Sequence, residues 1–73
     1  MNIMEVIELK RKVLRAWRAG GRKEDGSDVT KVDECLTACC QRYDEIYVFE
    51  VWNTETANLV LTWERPTWLE TLV

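Results

Sequence analysis

The chain contains no histidine. Histidine is the commonest general base and the commonest metal ligand, so its absence removes every triad built on imidazole and most metal chemistry. Proline occurs once, at Pro66, and glycine three times. Neither a proline-rich linker nor a glycine loop that cradles phosphate is therefore present. Gly20-Gly21 before Arg22-Lys23 is the nearest approach to an anion nest, but it follows a predicted helix instead of opening one. No apolar run approaches the roughly 20 residues that span a bilayer. The start, Met1-Asn2-Ile3-Met4-Glu5, lacks the cationic head and apolar stretch of a signal peptide. The three cysteines form an odd set, whereas a small secreted domain tends to carry an even disulfide framework. These absences point to a soluble protein of the cytoplasm, with no membrane partner and no cofactor. No internal repeat or low-complexity stretch divides the chain.

What is present is charge sorted by position. Met1 to Lys23 holds seven of the ten Lys and Arg against two carboxylates, a balance of +5. Glu24 to Val73 holds three cations against eleven carboxylates, a balance of −8. The 73 residues make one domain, 1–73, and a domain of this size buries only about 60% of the surface its unfolded chain exposes. Yet 47% of the residues are hydrophobic and four are tryptophan: Trp17, Trp52, Trp63 and Trp68. Such side chains bury about 150–250 Å² each. The expectation is that a small core leaves some of them outside, where contiguous apolar surface marks an interface.

Ile3 to Ala19 reads as an amphipathic helix. At 100° per residue, Ile3, Val6, Ile7, Leu9, Val13, Leu14 and Trp17 fall on one arc. Lys10 lies within that arc, able to snorkel outward, and Arg11, Arg15 and Arg18 lie opposite. Glu8 and Lys12 are spaced for an i,i+4 pair, and Gly20-Gly21 is a helix stop. Gly20 to Ser27 reads as an exposed polar loop.

Val29, Val32, Leu36, Cys39 and Tyr43 recur at helical spacing and predict a second helix over Val29 to Tyr43, capped by Asp28 or Thr30 and closed by Asp44-Glu45. Ile46 to Trp52 and Leu59 to Arg65 alternate as strands around the turn-forming residues 53–58, an antiparallel hairpin. Pro66 ends the second strand. Thr67 and Glu70 then match a capping box, so that a last turn from Trp68 to Leu72 folds back to cover the open face of the hairpin. The predicted class is α+β: two helices packed on an antiparallel β-hairpin with a short C-terminal helical turn, in the order α-α-β-β-α.

Candidate chemistry is sparse. Cys35 and Cys39, four apart on the second predicted helix, could share a metal. A structural zinc takes four ligands, and here the fourth would be Asp33, Glu34 or another chain. The simpler reading makes the cysteines small core residues, with Cys40, off the stripe, partly exposed. No carboxylate spacing forms an acid/base pair, and the chain reads as non-enzymatic, with no catalytic or metal-binding residues.

Three contact readings follow. In the first, an acidic surface interleaved with aromatics binds a basic protein partner, such as a nucleic-acid-binding complex. Its residues are Glu34, Asp44, Glu45, Glu50, Trp52, Glu55, Glu64, Trp68 and Glu70. The plain counterpart is a solvated acidic surface that keeps the protein soluble. In the second, Arg11, Arg15, Arg18, Arg22 and Lys23 contact nucleic acid. An overall −3 charge argues against direct nucleic-acid binding, and pairing with the chain's own acids is the alternative role for these cations. In the third, an exposed sheet face, or an edge strand beginning at Ile46 or Leu59, pairs with a second copy as a homodimer.

In size, charge and lack of histidine the whole chain resembles the small acidic inhibitors carried by phages and mobile elements, of which anti-CRISPR proteins are the best-known group. No single motif carries the likeness. The resemblance implies a non-enzymatic inhibitor that blocks a nucleic-acid-binding or subunit surface of a host complex in the host cytoplasm. Antitoxins and small regulators share the same size and charge class, and a regulator of that kind would use the basic helix.

Overall fold

The computed structural model describes residues Met1–Thr71. The first element, α1 (Ile3–Ala19), spans the predicted range. The Asn2 side chain caps it by accepting from the Glu5 backbone N–H at 2.9 Å, which satisfies one of the free donors of the first turn. The far end closes as a Schellman motif. The Arg22 N–H reaches the Trp17 carbonyl at 2.9 Å and the Gly21 N–H reaches that of Arg18 at 3.3 Å, with Gly21 at φ +96° as the left-handed residue this closure requires.

Four strands follow: β1 (Asp25–Lys31), β2 (Leu36–Tyr43), β3 (Ile46–Asn53) and β4 (Leu59–Pro66). They form one antiparallel sheet in the order β1-β2-β3-β4. A short 3-10 helix, η1 (Thr67–Thr71), completes the described chain. The class is α+β, with one helix against a four-stranded sheet.

The predicted second helix does not exist. Its residues supply β1, β2 and the loop between them, and the predicted polar loop gives up Asp25 to Ser27 to β1. The helical spacing of Val29, Val32, Leu36, Cys39 and Tyr43 arises because a folded-back hairpin brings Val29 opposite Cys39. Asp28 and Thr30 are strand residues, not caps. Asp33 sets the loop: its Oδ1 accepts from the N–H groups of Cys35 and Leu36 at 2.8 and 2.9 Å, and its Oδ2 meets Lys12 Nζ at 2.8 Å. Lys12 is thereby drawn to Asp33 and not to Glu8. Asp44-Glu45 is a two-residue turn, with Tyr43 opposite Ile46 and Asp44 at φ +55°. The β3–β4 hairpin stands as predicted. Its loop is organised by Asn53, whose side-chain oxygen accepts from the N–H groups of Glu55 and Thr56, both at 3.0 Å.

The core lies between α1 and one sheet face. Val13, Trp17, Ala38, Cys40, Tyr47, Phe49 and Val51 are buried, with Leu9, Leu14, Val32, Leu36, Leu61 and Trp63 packed around them. Trp17 sits edge-on to both Tyr47 and Phe49, centroids 5.0 Å apart in each case. Trp63 stacks on the other side of Phe49 at 4.9 Å. Lys10 places its ammonium 5.6 Å from the Trp63 ring centroid, so its in-arc position is resolved by a cation–π contact. Ile3 and Ile7, assigned to the buried arc, are exposed.

The last turn does not cover the open sheet face. η1 returns to the helix side, where Glu70 meets Arg18 and Arg22. The carboxylate that was to reach back to Thr67 is consumed by these arginines, and the turn is 3-10 in place of α. Leu72, the end of the predicted turn, lies outside the described residues.

Candidate functional site

Alternation along the strands divides their side chains between two environments. Tyr47, Phe49 and Val51 of β3 face α1 and are buried, so Ile46, Val48, Glu50 and Trp52 point away from it. Register carries this outer face across the sheet: Thr37 pairs with Trp52, Cys39 with Glu50, Gln41 with Val48, and Tyr43 with Ile46. On the other side Glu64 lies opposite Val48 and Thr62 opposite Glu50. Val29 and Lys31, opposite Cys39 and Thr37, complete it. Among the described residues no element packs over this face. Trp52 and Val48 are half-buried by their neighbours, and Val29, Tyr43 and Ile46 are exposed.

Glu50 and Glu64 therefore stand on the outer face among apolar side chains. The other predicted acidic positions lie at its two ends. Asp44 and Glu45 occupy the β2–β3 turn, exposed. Glu34 and Glu55 lie in the β1–β2 and β3–β4 loops, which meet at the opposite end, where the Thr54 N–H donates to the Cys35 carbonyl at 2.8 Å. Two predicted members depart from this group. Trp68 is exposed but sits on η1. Glu70 is 5% exposed and faces three guanidiniums, so it presents no negative surface.

The Glu70 carboxylate gathers three arginines. Arg18 donates through Nη2 and Nε at 2.6 and 3.0 Å, Arg22 through Nε at 3.2 Å, and Arg65 through Nη2 and Nε at 3.0 and 3.2 Å. The Arg18 hydrogen bonds, joined by those from Arg22 and Arg65, outweigh burial and hold the Glu70 carboxyl down to about 2. The acceptor that gathers Arg18 and Arg22 is distant in sequence, and no local pattern pairs residue 70 with residue 18.

Of the predicted basic residues, Arg18 and Arg22 are thus shared with Glu70. Arg11 and Arg15 are exposed and meet no carboxylate within 4 Å among the described residues. They line a shallow depression with Leu14 and Arg18. Lys23 contributes its carbonyl, which accepts the Trp17 indole N–H at 2.7 Å, a structural role that the charge pattern did not signal.

The cysteines are dispersed. Cys35 is exposed in the β1–β2 loop, Cys39 lies on the outer sheet face and Cys40 is buried. The helix-face pair predicted for Cys35 and Cys39 is absent, and Cys40, predicted partly exposed, is the true core cysteine because it points toward α1. Burial, with Glu24 and Cys39 nearby, pushes the Cys40 thiol up to about 12. Cys39 is also raised, first by burial and then by Glu50, whose Oε1 lies 3.7 Å from its sulfur. Both thiols are protonated at neutral pH, the opposite of an activated nucleophile. Among the described residues no group of three or more Cys, Asp or Glu is arranged to hold a metal ion. No helix among them is long and apolar enough to cross a membrane.

No family model, curated protein or solved structure matches this chain.

Proposed function

We propose that this protein is a non-catalytic binding module that docks a basic protein partner on its outer sheet face. The reading extends to inhibition of the anti-CRISPR kind, in which the occupied partner surface is one that otherwise holds nucleic acid or a subunit. One observation carries it: three of the four outward positions of β3 are Ile46, Val48 and Trp52, on a face that no other element covers among the described residues. An antiparallel sheet with one open face ordinarily turns polar residues outward. An apolar strip on the open side is the composition of an interface centre, where a tryptophan commonly contributes most of the binding energy.

The sign of the charges selects the partner. Glu50 and Glu64 flank the strip, and Glu34, Asp44, Glu45 and Glu55 rim it. Lys31 is the single cation on this face among the described residues. A second copy presenting the same face would bring Glu50 and Glu64 toward like charges, whereas a basic surface would be steered onto them. Self-pairing through an edge fits less well. β3, which begins at Ile46, is interior, because β2 and β4 flank it. The free edge of β4 ends in Pro66, which has no N–H to offer.

The test is a pull-down with tagged protein from a bacterial lysate at low and moderate salt, followed by mass spectrometry and reconstitution from purified components. The reading requires a stoichiometric basic partner that is lost with Glu50→Lys/Glu64→Lys and weakened at least tenfold by Trp52→Ala. Binding that survives both changes sinks it.

A further inference from the structure

We infer that the solvent face of α1 is a second, independent docking site, one that takes the phosphodiester backbone of nucleic acid without reading its bases. Arg11, Arg15 and Arg18 follow one another at four- and three-residue spacing along the helix, and Arg22 continues the line just past the cap. Such neighbours stand about 5–6 Å apart at Cβ, a spacing that long guanidinium side chains can match to the phosphates of one strand, which rise about 3.4 Å along the duplex axis per nucleotide. Arg18, Arg22 and Arg65 place three cations on the single carboxylate of Glu70. Arg11 and Arg15 add two more with no carboxylate within 4 Å among the described residues. Two further acids adjoin Arg11: Glu8, which lines a depression with Arg11, Lys12 and Arg15, and Glu64, which lines a groove with Lys10, Arg11 and Arg65. The face keeps a clear positive surplus.

A net charge of −3 opposes phosphate binding only where acids and cations share one surface. The basic residues lie on the helix layer and Glu50 lies on the far face of the sheet, while Glu64, on the edge strand β4, lines a groove together with Lys10, Arg11 and Arg65. Exposed charges separated by more than a Debye length, about 8 Å at physiological salt, are largely screened from each other. A phosphate at Arg11 is screened from Glu50, with the helix and the sheet between them.

The chemistry of the face selects nucleic acid over an acidic protein. The depression over Arg11, Arg15 and Arg18 has one apolar floor residue, Leu14, and no aromatic side chain, whereas Trp63, Pro66 and Leu69 line an adjoining groove, so the arginine line itself lacks the anchor on which protein interfaces depend. Spaced cations alone suffice for phosphate contacts, which position a strand without specifying its sequence. The same lack of aromatics and of base-reading groups predicts sequence-independent binding, with a Kd on the order of 10⁻⁴–10⁻⁶ M at physiological salt.

The experiment is fluorescence anisotropy of a labelled duplex DNA titrated with the full chain at salt concentrations from about 50 to 200 mM. We expect binding whose log–log salt slope is about −2 to −3. Arg11→Ala/Arg15→Ala should lower affinity at least tenfold and flatten the slope by about 2. Glu50→Gln, on the opposite layer, should leave slope and affinity within about twofold, since it is screened from the helix face. Circular dichroism and thermal unfolding verify that each variant is folded. No binding at the lowest salt overturns the inference, as does binding indifferent to Arg11 and Arg15. Salt-sensitive self-association lost in Arg11→Ala/Arg15→Ala, without DNA binding, would also overturn it and assign the basic face to the acidic sheet of another copy.

Discussion

Arg18 grips Glu70 with two parallel hydrogen bonds, Nη2 to Oε1 at 2.6 Å and Nε to Oε2 at 3.0 Å. This fork joins residues 52 positions apart and fastens the last described turn to the first helix. The carboxylate is 5% exposed while its three arginines are between 22% and 48% exposed. The cluster is thus a buried anion held by partly solvated cations, a geometry in which the arginines stay accessible after satisfying Glu70.

Replacing Glu70 by Gln keeps the shape and removes the charge. The expected loss is about 2 kcal/mol, the range of hydrogen bonds to a charged group tempered by the solvent around the arginines. The pH dependence has a definite sign. Folding depresses the Glu70 carboxyl from 4.5 to about 2, so its stabilisation is fully present above the unfolded value and is lost as pH falls from about 4.5 toward 2. Urea unfolding across that window should show a component in the parent protein that Glu70→Gln lacks. Equal acid sensitivity of the two proteins would mean that the arginine cluster contributes nothing.

The two helix-stop glycines should respond differently. Gly21 sits at φ +96°, so Gly21→Ala forces a Cβ into the left-handed region at about 1 kcal/mol. For a domain of this size that is a Tm drop of about 4–8 °C. Gly20 has φ −84°, and an added Cβ would lie 3.3 Å from the Ala16 carbonyl oxygen, so Gly20→Ala should cost less. Calorimetry that ranks the two substitutions the other way would refute the Schellman assignment.

Thiol reactivity should follow position and not sequence proximity. A disulfide reagent added to the native protein should modify Cys35 rapidly and Cys39 slowly, and reach Cys40 only after denaturation. Raising the pH to about 8.5, the ordinary thiol value, should not expose Cys40, whose thiol titrates at about 12. Mass spectrometry of the labelled peptides resolves the three sites. Fast native labelling of Cys40 would contradict its place beneath α1.

The first helix and the last hairpin are legible in the sequence because each is specified by near neighbours. Seven apolar residues in α1 share a helical arc, and the turn residues between Trp52 and Leu59 sit between two alternating runs. Val29 to Tyr43 misleads for a physical reason. Both faces of β2 carry apolar or small residues, with Ala38 and Cys40 inward and Thr37 and Cys39 outward, so the period of two is erased. The apolar positions of two paired strands then fall at helical intervals. What distinguishes the alternatives is the demand of β3 for a second hydrogen-bonding partner, and that demand is not local.

Part of the candidate surface was visible in the same way. Glu50, Glu64 and Trp52 are recognisable as acidic and aromatic strand residues, and their common face follows from alternation. Glu70 is not distinguishable from them by composition. It differs because η1 turns toward the helix and brings the carboxyl to Arg18, Arg22 and Arg65.

The sequence by itself determined the α+β class, the limits of α1, the β3–β4 hairpin and the segregation of basic from acidic residues, all of which depend on neighbours a few positions apart. Only the tertiary structure decided that residues 25–43 form two strands and their loop, that no described element covers the outer sheet face, that Cys40 and not Cys35 is buried, and that Glu70 is neutralised while Arg11 and Arg15 meet no carboxylate among the described residues. Those outcomes rest on pairings between β2 and β3 and between residues 18 and 70. Hydrogen bonding and burial settle them only when distant segments meet.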